Sequence, residues 1–232
     1  MDVDLQGCDI IPGVLTPQRC VAMACEIELA FQADAGAIQS TRGGLVGGRN
    51  LILLWNGWRE ITDHPKVAAL VEHCVGRSAG VVRILYFDKP PGQSWSLSMH
   101  RDKTIAVEAH QSPPHPFDKP TRKAGVPHVE ATESLLCQML TLRLHLDPMQ
   151  DENGPLVVCK GSHETSGDCG EEASVVHCDV GDLFIMRPML LHGSRASEPD
   201  AQMHRRVVHL EIGPERTLPG NYRWHCFKRL DA

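Results

Sequence analysis

The chain reads as a mainly β protein with flanking helices, and its β part as a double-sheet jelly roll. Two observations predict this. From Gly80 onward, short β-branched or aromatic runs recur with turn signals between them, as they do in double-sheet architectures. Before Gly80 the apolar spacing is helical, so a mainly helical N-terminal layer over 1–79 is expected to cover a core over 80–213, with a tail over 214–232. At 232 residues the chain suits one domain of this kind and can bury a sizeable core.

The elements follow in order. Thr16-Pro17 offers a hydroxyl N-cap and a proline at the first helical position. Val21, Cys25, Ile27, Leu29 and Phe31 then supply an apolar stripe up to about Ala35, where Gly36 can end the helix. Gly43-Gly44 and Gly47-Gly48 bracket a segment read as a flexible loop rather than a lid. A second helix runs from roughly Asp63 to Cys74 and stops near Gly76. Val81 to Phe87 is a strand ended by Lys89-Pro90-Pro91-Gly92, and the Pro- and Lys-rich stretch from His110 to Pro127 reads as one long loop. Leu140 to Leu146 is a strand, Asp151-Glu152-Asn153-Gly154 a tight turn, and Leu156 to Cys159 the returning strand. After a polar loop from Ser162 to Ser174 come Val175-Val176, the turn Val180-Gly181-Asp182, the strand Leu183 to Met186 and a last strand Val207 to Ile212.

Composition excludes some functions. A formal charge of −6 and a pI near 6.1 give no basic face for nucleic acid. No apolar run approaches the roughly 20 residues of a membrane span, and Met1 to Leu5 does not begin a signal peptide. Nine cysteines, an odd number with no C-x-x-C pair, are read as reduced thiols of a cytoplasmic protein.

The chemistry concentrates at Trp95-Ser96-Leu97-Ser98-Met99-His100-Arg101-Asp102. A non-haem Fe(II) centre that activates O₂ needs two imidazoles and one carboxylate on one face, with the opposite positions open. On a strand, residues i and i+2 point the same way, so His100 and Asp102 can share one ion while Arg101 points elsewhere. The pattern His-x-Asp/Glu occurs five times, at His100, His128, His145, His177 and His209, so context must choose. The needed context is a later third ligand followed by a basic residue. His192 lies 92 residues after His100 (192 − 100), and Arg205 opens the run Arg205-Arg206-Val207-Val208 thirteen residues further on (205 − 192). The His177 pair is too near His192, and the His145 pair runs into an Asn-Gly turn.

Taken together, Lys89-Pro90-Pro91-Gly92, Trp95, His100-x-Asp102, Asn153-Gly154-Pro155-Leu156-Val157-Val158, Gly161-Ser162-His163, Gly181-Asp182, Arg187-Pro188, His192 and Arg205 resemble the phytanoyl-CoA dioxygenase family of Fe(II)- and 2-oxoglutarate-dependent oxygenases. The resemblance covers roughly residues 80 to 213. It implies a distorted double-stranded β-helix, a cupin-like barrel with the metal at its open end. His100, Asp102 and His192 then bind iron, and Arg205 pairs with the distal carboxylate of 2-oxoglutarate, a task suited to a planar, always charged fork. Arg206 is the alternative, because a one-residue slip exchanges the two. Leu85 falls at an apolar wall of the co-substrate pocket. Arg143 falls where relatives carry an aromatic residue, a departure that allows a second charge contact. Two further departures are Arg101 between the ligands and Met99 before them. The implied activity is hydroxylation of a small organic substrate with O₂, releasing succinate and CO₂. A barrel that binds without redox chemistry, and a metal enzyme that does not use 2-oxoglutarate, are the rival readings.

Other residues have plainer expectations. His163 reads as a turn residue, and His145 and His209 as packed or hydrogen-bonded structural histidines. Trp95 fits a substrate rim or a core edge equally. Lys123 and His128 fit a closing loop or simple exposure, and Glu171-Glu172 a solvated face. No basic patch for a CoA phosphate is evident in the sequence.

Overall fold

A computed structural model describes residues 2–32, 38–41, 44–93, 95–165, 169, 173–230; for 38–41 and 44–45 it describes the backbone alone. The expected helix end at Gly36 and the pair Glu171-Glu172 lie outside the described residues. In chain order the elements are α1 (Asp2–Gln6), β1 (Cys8–Ile11), α2 (Pro17–Gln32), β2 (Ile38–Thr41), β3 (Gly44–Gly48), α3 (Leu51–Leu54), α4 (Arg59–Thr62), α5 (Pro65–Cys74) and β4 (Gly80–Lys89). Then come β5 (Leu97–His100), β6 (Thr104–Ala106), β7 (Asp118–Lys123), β8 (Val126–Glu130), α6 (Glu133–Leu136) and β9 (Leu140–His145). The last are β10 (Leu156–Val158), β11 (Ser174–Val176), β12 (Leu183–Met186), β13 (His192–Ser194), β14 (Arg205–Gly213) and β15 (Lys228–Arg229).

The architecture is a jelly roll. An eight-stranded sheet, in the order β1-β12-β9-β14-β4-β3-β2 with β15 also on β4, faces a four-stranded sheet ordered β11-β10-β13-β5. A small sheet β6-β8-β7 stands beside them.

The large sheet is buried on both faces, and the two faces differ in chemistry. On β4, β9, β12 and β14 one set of alternate residues, including Ile84, Tyr86, Leu142, Leu144, Leu183, Ile185, Val208 and Leu210, packs in one core with α2 and α5. The other set, Arg83, Leu85, Phe87, Lys89, Arg143, His145, Arg205, Val207, His209 and Glu211, turns into the barrel. The period-2 geometry of a strand makes that division absolute.

Several expectations need correction. In α2 the buried stripe is Cys20, Met23, Ala24, Ile27 and Phe31, whereas Val21, Cys25 and Leu29 face solvent. The 3.6-residue helical period selects the i, i+3, i+7, i+11 set, and Val21 and Leu29 fall off that face. The glycine-rich segment read as a loop is the hairpin β2–β3. It extends the large sheet through Gly47↔Phe87 and Gly48↔Tyr86, where Gly48 is required because Phe31 of α2 occupies the space of any Cβ. Together with β1, this makes the N-terminal layer part of the sheet rather than a helical cover alone. The stretch read as one loop from His110 to Pro127 contains β7 and the start of β8. The C-terminal residues also belong to the fold: Leu218, Tyr222 and Trp224 join a second core with Val107, Phe117 and Val129, and β15 pairs with β4. Finally, Cys159 and Cys169 form a disulfide, their Cα atoms 5.7 Å apart, so the reading of all nine cysteines as reduced thiols fails. The ten-residue separation hides the pairing in sequence, while the Cα distance lies within the range a disulfide needs. Among the described residues no helix is long and apolar enough to cross a membrane.

Because Ile27 is fully buried and Leu29 is not, Ile27→Ala is expected to lower the free energy of unfolding by about 2–5 kcal/mol and Leu29→Ala by less than about 0.5 kcal/mol. Urea denaturation of the two variants checks this.

Candidate metal and co-substrate site

His100 is the last residue of β5, and His192, the first of β13, lies directly opposite it in the antiparallel ladder. Their rings stand 4.4 Å apart between centroids. Asp102 lies beyond the end of β5, so its position does not come from strand alternation as the sequence suggested. Its backbone N–H donates to Pro188 O at 2.9 Å, and this bond turns the carboxylate back toward the two imidazoles. Asp102 Oδ1 is then 3.7 Å from His100 Nε2, and Oδ2 is 3.6 Å from His192 Nε2. Arg101 points away and staples the neighbouring loop, donating to Met189 O, Ser162 O and Thr165 O.

The donor set fits a divalent metal. Nδ1 of His100 lies 2.8 Å from Ser98 O and Nδ1 of His192 lies 2.9 Å from Leu190 O, which places the proton on Nδ1 in both rings. Each Nε2 therefore presents a lone pair toward the centre, where the three ligand atoms lie within 4.8 Å of one another. Burial pushes the His192 imidazole down to about 4, so it is neutral at ordinary pH. Burial alone would raise the Asp102 carboxyl, but His192, His209, His100 and Arg83 hold it below the usual value.

Behind this group the barrel interior carries charge. Arg83 ion-pairs with Glu211, whose Oε1 is 3.5 Å from His209 Nε2, and Arg143 Nη1 donates to His209 Nδ1 at 3.0 Å. Phe87 lies against both His209 and the Arg143 guanidinium. Leu85 is buried opposite His209.

Arg205 pairs across the ladder with Lys89 and faces inward. Among the described residues its Nη1 reaches Met149 Sδ at 3.8 Å, and its Nε has no partner. Arg206, on the opposite face, is held by Asp147 through its backbone N–H and two guanidinium nitrogens at 2.9, 2.8 and 2.7 Å. That clamp makes Arg206 the outward residue and leaves Arg205 as the inward one. Arg143 Nε and both nitrogens of His145 are likewise buried without partners. Burial and the neighbouring Arg143 push the Arg205 guanidinium down to about 9. Lys89 donates to Arg195 O at 2.6 Å, Ser194 Oγ at 3.2 Å and Gly154 O at 3.4 Å. Among the described residues no carboxylate lies within hydrogen-bond reach of Lys89, Arg143 or Arg205.

Sequence reasoning missed Lys89, Arg83 and Glu211. The available signal was the alternation Arg83-x-Leu85-x-Phe87-x-Lys89 and Arg205-x-Val207-x-His209-x-Glu211 within strands whose other phase is wholly apolar. Trp95 is half-exposed at the rim, its ring 5.5 Å from Lys89 Nζ. His145 is packed on the inner face without hydrogen bonds, and His163 lies in a single 3-10 turn.

The family model for phytanoyl-CoA dioxygenase (PhyH) matches residues 3–206. The chain belongs to the phytanoyl-CoA dioxygenase family. No curated protein matches it in sequence. Among solved structures, HygX from Streptomyces hygroscopicus with nickel and 2-oxoglutarate bound is 16% identical, with a TM-score of 0.63 over 97% of this chain and 94% of HygX. The epimerase SnoN in complex with Fe³⁺, α-ketoglutarate and nogalamycin RO is 17% identical, with a TM-score of 0.62 over 100% of this chain and 93% of SnoN. The α-ketoglutarate-dependent carbocyclase SnoK from nogalamycin biosynthesis is 15% identical, with a TM-score of 0.65 over 95% of this chain and 92% of SnoK. These neighbours share the family fold, and the metal and 2-oxoglutarate recorded in HygX and SnoN are the cofactors expected from the motif.

Burial pushes His128 and His192 from 6.5 to about 4. Unfolded histidines take up protons below about 6.5 while these folded ones do not, so the unfolded state binds more protons in that window and stability falls as pH drops toward 4. Urea midpoints of the metal-free protein are expected to decline from pH 6.5 to pH 4, and His128→Phe to shallow the decline.

Proposed function

We propose that the protein is an Fe(II)- and 2-oxoglutarate-dependent dioxygenase that hydroxylates a small organic substrate. The observation that carries this reading is one barrel end that presents two Nε2 lone pairs and a carboxylate beside buried, carboxylate-free cations. When bound, Fe(II) and 2-oxoglutarate supply O₂ activation, with succinate and CO₂ as products and one oxygen atom inserted into a substrate C–H bond.

The chain's own residues do the rest. His100, Asp102 and His192 would hold the metal, a two-histidine, one-carboxylate set that suits Fe(II) chemistry with further positions for co-substrate and O₂. Their Nδ1 hydrogen bonds hold both rings in the ligating tautomer. Arg205 takes the distal carboxylate of 2-oxoglutarate, which would satisfy its orphaned nitrogen, and Arg143 adds a second cation from β9. Buried Leu85, with Phe87 partly buried beside Arg143 and His209, limits water, so each charge contact acts at lowered dielectric. Retention of the carboxylate ligand Asp102 favours hydroxylation over halogenation, which needs that place for a halide. The epimerase and carbocyclase neighbours use the same fold for other outcomes, so the hydroxylase type rests on this argument from the ligand set.

The test is anaerobic titration with Fe(II) and then 2-oxoglutarate, read by the weak visible charge-transfer band of the chelate. The band is expected in the wild type and absent in Asp102→Ala, which should also stop succinate release; a variant that still consumes 2-oxoglutarate would overturn the metal assignment. Arg205→Ala is expected to weaken 2-oxoglutarate binding by about 2–5 kcal/mol, while Arg206→Ala changes it little. The reverse ranking would move the carboxylate contact to Arg206.

A further inference from the structure

A second group of cations gathers near Thr104, two residues past Asp102, and the co-substrate contact does not use it. Gly47 and Gly48 pair with Phe87 and Tyr86, and Gly48 faces α2, so Arg49, the next residue, follows the inner phase shared with Leu85. Asn50 Nδ2 donates to Ala124 O at 3.4 Å, which brings this segment against the β7–β8 turn. At that turn Lys123 Nζ donates to Thr104 Oγ1 at 2.9 Å, two residues past Asp102, and Arg83 Nη2 donates to Thr104 O at 3.1 Å. Arg83 and Lys123 thus meet at Thr104, the strand register directs Arg49 toward them, and among the described residues only Arg83 of the three has a carboxylate partner, Glu211.

An independent observation points to a ligand here. His128 is 2% exposed, its Nδ1 is bound to Val126 O at 3.0 Å, and its Nε2 has no partner. Burial, with Arg83, Lys123 and Arg49 nearby, pushes its imidazole down to about 4, so Nε2 is an acceptor left empty. The Arg49 and Lys123 cations are also lowered, chiefly by burial and next by the other cations of the group, as expected where positive charge gathers without a counterion. Half-burying two cations without a counterion, beside an orphaned acceptor, is costly unless a ligand completes them.

We infer that Arg49 and Lys123 bind an oxyanion, carboxylate or phosphate, on the organic substrate, and that His128 Nε2 accepts a hydrogen bond from a hydroxyl or amide of the same molecule, with the C–H to be oxidised held over the His100–Asp102–His192 group. The inference rests on the proposed oxygenase reading and deepens it by naming the substrate class. It also assigns separate anion sites: Arg205 and Arg143 for the co-substrate, Arg49 and Lys123 for the substrate.

The experiment is calorimetric titration of the anaerobic Fe(II)–2-oxoglutarate complex with hexanoate, hexyl phosphate and hexanamide. At least one anion is expected to bind tenfold or more tightly than the amide, and which one identifies the oxyanion. The preference should disappear in Arg49→Gln and Lys123→Gln and return in Arg49→Lys, with the near-ultraviolet circular dichroism of each variant checking its fold. If the wild type gives no charge-transfer band, the oxygenase reading falls. If the band forms but neither anion outbinds the amide, if the glutamine variants keep the preference, or if the anion abolishes the band by displacing 2-oxoglutarate, the substrate inference falls.

Discussion

Charge buried inside the barrel is the constraint on which the rest of this structure depends. Arg83, Lys89, Arg143, Arg205 and Glu211 all point into a space from which water is largely removed, where an unpaired ion costs several kcal/mol. Each is resolved in a different way. Arg83 and Glu211 neutralise each other, Lys89 is taken up by two carbonyls and a hydroxyl, and Arg143 leans on His209 and Phe87. Arg205 ends against the thioether of Met149. The fold tolerates that because the opposite face of the same strands is continuous apolar packing against α2 and α5, which supplies the stability that a polar interior cannot.

The His100–Asp102–His192 group, which could hold a metal, depends on this interior in turn. Burial works against the Asp102 carboxylate, and His192, His209, His100 and Arg83 together hold its carboxyl below the usual value. The cross-strand pairing of His100 with His192 sets the spacing of the two rings, while a single backbone bond to Pro188 O orients the carboxylate. Gly193, beside His192, has no room for a side chain, because a Cβ there would meet Leu97 O at 2.7 Å. The close approach of β13 to β5, and with it the ring spacing, therefore requires a residue without a side chain at that position.

Much of this was legible beforehand. The strands from Gly80 announced themselves by β-branched runs and turn residues, and the order His100, Asp102, His192, Arg205 stood out because its spacing supplied both a third ligand and a cation. The elements that were misread share one cause. The β2–β3 hairpin is rich in glycine, and β7 is polar with four of its six residues charged and one proline, so neither carries a strand-like apolar pattern. Their strand character comes from partners, β4 and β8, that lie far away in the chain or beyond a turn. The stripe of α2 was misplaced because apolar residues occur on two sides of that helix, and only the packing against Tyr86 and its neighbours selects one.

By itself, then, the chain determined which residue types were available and in what order: the ligands, the arginines at 205 and 206, and the alternation that separates two strand faces. Tertiary structure decided what order alone leaves open. The Asp147 clamp chose Arg205 over Arg206 as the inward residue, since a period of two admits either phase until one side chain is anchored. The meeting of Arg83 and Lys123 at Thr104, and the pairing of Cys159 with Cys169, likewise follow from contacts between separate segments that no local pattern encodes.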